Sequence, residues 1–383
     1  MRRFRCQTCK ALVYFDNVLC LTCGSPLAFV PDLGVVSALQ PGKVVDTWHV
    51  AAAKPGAGDY RRCLRFSQDA ACNWLIAPGD THEFCTSCRL SRTIPDLSQD
   101  ELRACWVRLE AGKRNLLYGL AQLRLPVKGR EQDPVTGLSF DFLAGTPDKP
   151  VLTGHDKGLI TINVAEADDL KRERTRLSLG ETYRTVIGSL RHEIGHYYWD
   201  VLIAGSPREQ SFRNMFGDER VSYDGCMKRH YEQGAPDGWQ QDFISAYASM
   251  HPWEDWAETW AHYLHLRDVI ETGASFGLSL QDHDDEVDVR SAAAQSPDFA
   301  ALIKTWMPLT YAINSLSRSM GQTDWYPFTM SDHVLAKMHY VHDVVVAVGN
   351  GSITIPVPPV AEPVVASPMT NDETIQEQVT AAH

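Results

Sequence analysis

The chain contains no run approaching the ~18 continuous apolar residues that a membrane helix requires, so a helical span is not expected. Basic residues are in short supply as well. Against 48 Asp and Glu stand 36 Lys and Arg, for a formal net charge of −12. Proteins that coat nucleic acid need the opposite balance, because phosphate neutralisation dominates their binding. The acidic charge therefore disfavours nucleic acid as a partner without excluding it. Cysteine is scarce over most of the chain: of ten residues, only Cys105 and Cys226 follow Cys88. Those two have no partner at a telling spacing and read as free thiols of helix or core. No apolar export segment precedes Cys6, because Met1-Arg2-Arg3-Phe4-Arg5 leads straight into the first cysteines. The expectation is reduced thiols and a cytoplasmic location rather than a disulfide framework. With 383 residues the chain can bury one large core beside a smaller metal-stapled region.

What the chain does contain is Arg191-His192-Glu193-Ile194-Gly195-His196-Tyr197, an H-E-x-x-H motif. Histidines four apart on a helix stack on one face, so both imidazoles can reach one cation. The intervening Glu193 lies beside that face, placed to take a proton from an attacking water. Tyr183, Val186, Ile187, Leu190, Ile194, Tyr197 and Val201 recur at helical spacing. Ser178-Leu179-Gly180-Glu181 reads as a capping box opening this helix.

The other eight cysteines form two quartets. Cys6-x2-Cys9 and Cys20-x2-Cys23-Gly24 have the knuckle spacing of a zinc ribbon, with Gly24 free to take a positive φ. Cys63, Cys72, Cys85 and Cys88 form a looser second set with one C-x2-C half, where His82 could replace Cys63 or Cys72. Each quartet would hold a structural zinc, and a catalytic zinc at the histidines brings the count to three.

Two histidines hold zinc loosely, so a third protein ligand is needed. The segment His251-Pro252-Trp253-Glu254-Asp255-Trp256-Ala257-Glu258 offers Glu254, Glu258, Asp255 and His251. Pro252 suits a first helical turn. Glu254, Ala257, Glu258, Ala261 and His265 would share one face, with the small alanines allowing close approach to the zinc helix. Trp253, Trp256 and Trp260 are expected to pack elsewhere.

Here the chain resembles the gluzincin metallopeptidases, in which H-E-x-x-H precedes a ligand glutamate on a second helix. That resemblance implies Glu254 as the third ligand and Glu258, one turn on, as the carboxylate that steadies a zinc histidine from behind. It also implies a phenol or imidazole for the oxyanion, with Tyr247 the first choice and His251 the alternative. A closer resemblance, to bacterial zinc-binding metallopeptidases with an N-terminal zinc ribbon, rests on the order of motifs. These are the two cysteine sets, Arg92-Thr93-Ile94-Pro95-Asp96, Ile160-Thr161-Ile162-Asn163, H-E-x-x-H and Glu254-Asp255-Trp256-Ala257-Glu258. It spans most of residues 1–345. The implied fold class is α+β: a mostly helical gluzincin-like metallopeptidase domain with a small β-sheet, preceded by small zinc-ribbon modules.

Domain boundaries follow from the spacing: a ribbon at 1–32, a second cysteine-rich region with a linker-like stretch at 33–95, a peptidase domain at 96–345 and a disordered tail at 346–383. Within the peptidase region a helix is expected from Ser98, capped by Ser98 and Glu101 and ended by Pro126. Strands are expected at 138–143 and 159–164, and further helices at 299–320 and 331–345. His333, His339 and His342 read as a solvated helix face. The function implied is zinc-dependent peptide-bond hydrolysis with Glu193 as general base and a protein or peptide as substrate. The alternative is a ribbon module that binds protein or nucleic acid beside a regulatory or latent hydrolase.

Overall fold

Short strands at the start of the chain build two small sheets around the cysteines. A computed structural model describes residues 2–146, 148–282, 285–289 and 298–353. In it, β1 (Phe4–Arg5) and β2 (Leu12–Val13) form a hairpin beside the first cysteine pair. An antiparallel five-stranded sheet follows, in the order β3 (Leu27–Val30), β4 (Val35–Pro41), β5 (Thr47–Val50), β6 (Tyr60–Arg62) and β7 (Leu75–Ile76). The short helix α1 (Leu64–Asp69) lies between the last two strands.

The stretch expected to be a linker is thus sheet. Both faces of that sheet are covered: Leu27, Phe29, Val36 and Ala38 enter the main core, while Ala28, Val30, Leu39 and Val50 enter a second cluster. Strands buried on both faces show an apolar run instead of polar alternation, which hides the period of two.

The second region begins with β8 (Ser91–Thr93) and the long helix α2 (Asp100–Gln122). Ser98 does not cap this helix. Gln99 is the capping residue, and the Ser98 hydroxyl donates to Asp96 Oδ1 at 2.7 Å. The helix stops at Gln122, before Pro126, because Arg124 turns left-handed at φ 56°. Strands β9 (Ser139–Leu143), β10 (Gly154–Asp156) and β11 (Leu159–Asn163) join β8 in the order β10-β11-β9-β8, with β10 at the edge.

Helix α3 (Asp169–Ser178) precedes the metal-motif helix α4 (Val186–Leu202). The letters of a capping box at Ser178–Glu181 belong to the end of α3, where Gly180 turns left-handed at φ 66°. Thr185 opens α4 instead, its side chain accepting from Gly188 N at 3.1 Å. Helices α5 (Glu209–Phe216) and α6 (Tyr223–Gln233) lead to α7 (Pro252–Phe276), which has Pro252 in its first turn and Gly277 as a left-handed cap. A hairpin of β12 (Ser279–Asp282) and β13 (Asp285–Asp288), then α8 (Phe299–Ser319) and α9 (Asp332–Gly349), complete the described chain. Helix α9 overruns its expected end at residue 345, since Val341, Val344, Val345 and Val348 continue its buried face. The rest of the expected tail, residues 354–383, lies outside the described residues.

Helices α4 and α7 approach closely. A Cβ added to Gly195 would sit 3.0 Å from Ala257 Cα and 3.2 Å from Trp260 Cβ, and the Trp256 indole donates to Gly195 O at 2.9 Å. Helix α2 meets α4 in the same way, because a Cβ on Gly112 would lie 2.9 Å from Val186 Cγ1. His333 and His339 lie on the surface of α9, whereas His342 is fully buried with its Nδ1 3.1 Å from the Tyr263 hydroxyl. It belongs to the core, not to a solvated face.

Candidate metal centres

The four thiol sulfurs of each quartet converge to within 4.8 Å of one another. Cys6 and Cys23 lie 3.7 Å apart, Cys9 and Cys20 3.6 Å, and Cys72 and Cys85 3.7 Å. A disulfide needs ~2.05 Å, whereas a tetrahedron of thiolates about 2.3 Å from an ion has edges of roughly 3.8 Å. All ten cysteines are free thiols. In the first quartet the two knuckles close through Lys10 N to Cys6 O at 2.9 Å and Gly24 N to Cys20 O at 2.8 Å. Lys10 and Gly24 take φ of 65° and 72°. The second quartet is wholly buried and receives Trp74 N and Cys85 N on its sulfurs at 3.4 Å. His82 is outside it: its half-exposed ring faces Asp80 Oδ1 at 2.8 Å.

At the third cluster, α4 supplies His192 and His196 and α7 supplies Glu254. His192 Nε2 and His196 Nε2 are 3.2 Å apart, and Glu254 Oε2 is 2.9 Å from the first and 3.4 Å from the second. An ion about 2.0–2.1 Å from each donor would give edges near ~3.4 Å. At the opposite end of the His192 ring, Nδ1 lies 2.7 Å from Glu258 Oε1, a carboxylate that can only accept, so Nδ1 carries a hydrogen. Nε2 faces the buried Glu254 Oε2. Burial opposes charge on His192, but Glu254 and Glu258 raise its pKa well above the ordinary range, so the cluster draws in a positive charge, a shared proton or a metal ion. Burial pushes the Glu254 and Glu258 carboxyls up, but the two histidines beside Glu254 and His192 beside Glu258 outweigh it, holding both below the usual carboxylate range.

The remaining expected residues fall as follows. Glu193 is buried at 6% exposure and, among the described residues, has no hydrogen-bond partner. Its burial pushes the carboxyl above its ordinary value, with His192 and His196 opposing. Tyr247 lies with its ring 6.0 Å from that of His192. His251 is not at the cluster. It caps α7, accepting from Trp253 N at 3.1 Å through Nδ1 and facing Val221 O at 3.2 Å through Nε2, so both nitrogens are occupied. Asp255 points the other way into a buried ion pair with Lys337 Nζ at 2.6 Å. None of the three tryptophans packs elsewhere: the Trp253 ring, in the first turn of α7, lies 3.8 Å from that of His196, the Trp256 indole donates to Gly195 O, and the Trp260 ring stacks 4.9 Å from that of Tyr198, all on α4.

Three contributors escape sequence reasoning. Tyr223, at the start of α6, donates to Glu254 Oε1 at 2.7 Å. Ser245 donates to Glu258 Oε2 at 2.6 Å, completing a chain from Ser245 through Glu258 to His192. His155, on edge strand β10, stacks its ring 6.3 Å from that of His196. None has a spacing relation to the H-E-x-x-H motif, although Ser245 lies two residues before Tyr247.

The family model described as "Putative zinc-binding metallo-peptidase" matches residues 102–344, and a zinc-ribbon domain model matches residues 3–99. The chain belongs to this zinc-binding metallopeptidase family. The metallopeptidase is also similar to proteins of Mycobacterium bovis and Mycobacterium tuberculosis that are named only as uncharacterized. Each is 41% identical over 346 residues, covering 90% of this chain and 95% of theirs. No solved structure matches. Family and cysteine clusters agree on zinc as the metal. Among the described residues of the metallopeptidase, no helix is long and apolar enough to cross a membrane.

Proposed function

We propose that this metallopeptidase hydrolyses peptide bonds in the manner of a gluzincin, in the cytoplasm, with one catalytic and two structural zinc ions. The triangle of His192 Nε2, His196 Nε2 and Glu254 Oε2, with edges of 2.9–3.4 Å, carries the reading. These residues hold the catalytic ion, Cys6, Cys9, Cys20 and Cys23 one structural ion, and Cys63, Cys72, Cys85 and Cys88 the other. Zinc held there would supply Lewis acidity. Glu193 would take a proton from the attacking water as general base and pass it to the departing amine. Tyr247 donates to the oxyanion of the tetrahedral species. Glu258, steadied by Ser245, fixes the tautomer and the ring plane of His192. Ten cysteines outside any disulfide fit a reducing compartment.

Glu193→Gln tests the mechanism. Turnover of a denatured protein substrate is expected to fall by about two to four orders of magnitude, with zinc content unchanged. Near-normal turnover in the variant eliminates Glu193 as the base.

A further inference from the structure

Glu254 has two oxygens, and only Oε2 faces the histidines. The other, Oε1, accepts from the Tyr223 hydroxyl at 2.7 Å. Resting on the proposed donor set, we propose that Tyr223 is a positioning residue that keeps Glu254 a one-oxygen metal ligand.

A carboxylate beside a divalent cation can bind through one oxygen or swing to offer both. Occupying Oε1 with a hydroxyl donor opposes the swing, because a hydrogen bond to a charged acceptor is short and roughly twice as strong as a neutral one. Glu254 is 1% exposed, so water is a poor substitute for that donor. The donor itself is held in place. Ser222 caps α6 by accepting from Gly225 N at 3.2 Å, which makes Tyr223 the first residue of a fixed helical turn. Its ring meets His251 edge-on at 5.2 Å and Trp253 at 6.1 Å, both from the start of α7. The segment that delivers Glu254 therefore also fixes the phenol that orients it. With Glu254 limited to one oxygen, the ion keeps three protein donors and one open position, the arrangement of a catalytic site rather than a closed structural one.

Tyr223→Phe removes the hydroxyl and leaves the ring contacts. Two measurements on the full chain decide the role: zinc retention against a competing chelator, and the visible spectrum of the cobalt(II)-loaded protein. Zinc is expected to bind about ten- to a hundredfold more weakly, as when other outer partners of a metal ligand are lost. The cobalt bands are expected to weaken as Glu254 closes on the ion with both oxygens and the coordination number rises. Where a substrate is turned over, the loss is expected in kcat more than in KM. Tyr223→His, which restores a donor, is expected to recover part of the affinity, and it serves as the measured variant should Tyr223→Phe not fold. Unchanged zinc retention with an unchanged cobalt spectrum overturns the role of Tyr223, provided that Glu254→Ala loses one metal equivalent. If Glu254→Ala loses none, the donor set itself falls.

Discussion

Removing the Glu258 carboxylate tests the division of labour between the two glutamates of α7. In Glu258→Ala two donors lose their acceptor: His192 Nδ1 at 2.7 Å and Ser245 Oγ at 2.6 Å. The serine hydroxyl can rotate to another acceptor, so the cost falls on the imidazole, whose N–H is left in a largely buried place. An unpaired buried donor costs about 1–3 kcal/mol. That cost appears as metal affinity, because an unsteadied ring can turn Nε2 away from the ion. Losing such a partner typically weakens binding about 10- to 100-fold, or roughly 1.4–2.8 kcal/mol, and the two figures agree. Glu258→Gln keeps an acceptor oxygen without its charge, so its loss is expected to stay below about tenfold. Competition against a calibrated zinc chelator reads all three proteins on one scale, with Glu254→Ala alongside. Zinc retention in Glu258→Ala equal to that of the parent refutes the argument. So does complete loss of that zinc when Glu254→Ala retains it, because the ligand would then be Glu258.

Elemental analysis of the purified chain is expected to give three zinc ions. Metal release by a thiol reagent is expected to begin at the first quartet, where Cys23 is exposed, while the buried second quartet lags; simultaneous release of all the metal contradicts this. Burial lowers the pKa of His262 from 6.5 to about 4, with Glu258 opposing and His192 adding. The unfolded chain therefore binds this proton first: the stability is fully present above about pH 6.5 and is lost as pH falls toward 4. The loss amounts to up to about 3 kcal/mol, and melting curves of His262→Gln between pH 7.5 and 4.5 are expected to fall less steeply than the parent's. Gly195→Ala gains about 1 kcal/mol of helix propensity, yet its methyl would lie 3.0 Å from a backbone carbon of α7. Overpacking at such a contact costs about 1–3 kcal/mol, so a net drop in melting temperature is expected, and a rise would show that α7 gives way.

The features legible in the sequence were those with a fixed spacing. His192 and His196 stand one helical turn apart, and the cysteine knuckles follow a two-residue gap, so local geometry alone brings their side chains together. Glu254 was reachable through a resemblance in the order of motifs. Tyr223 and Ser245 were not, because they reach Glu254 and Glu258 from segments that only the tertiary fold brings near. The sheet at 27–50 was hidden because apolar clusters cover both of its faces. The start of α4 was misplaced for a different reason: Ser178–Glu181 has the letters of a cap, and only the left-handed turn at Gly180 reveals an ending.

The aromatic cluster of Phe15, Phe29, Trp74 and Tyr118 carries a consequence for how such chains diversify. Ring centroids 4.8–5.2 Å apart link the ribbon's Phe15 and Phe29 to Trp74 and to Tyr118 on α2, and Gly112 seats α2 against the start of α4. The ribbon is thus keyed to the helix behind His192 and His196 and does not hang from a tether. Exchange of one ribbon for another between relatives requires the matching face of α2 to travel with it. Recombination within this family is expected to preserve that pairing, with its crossovers falling beyond α2 and not at the last cysteine.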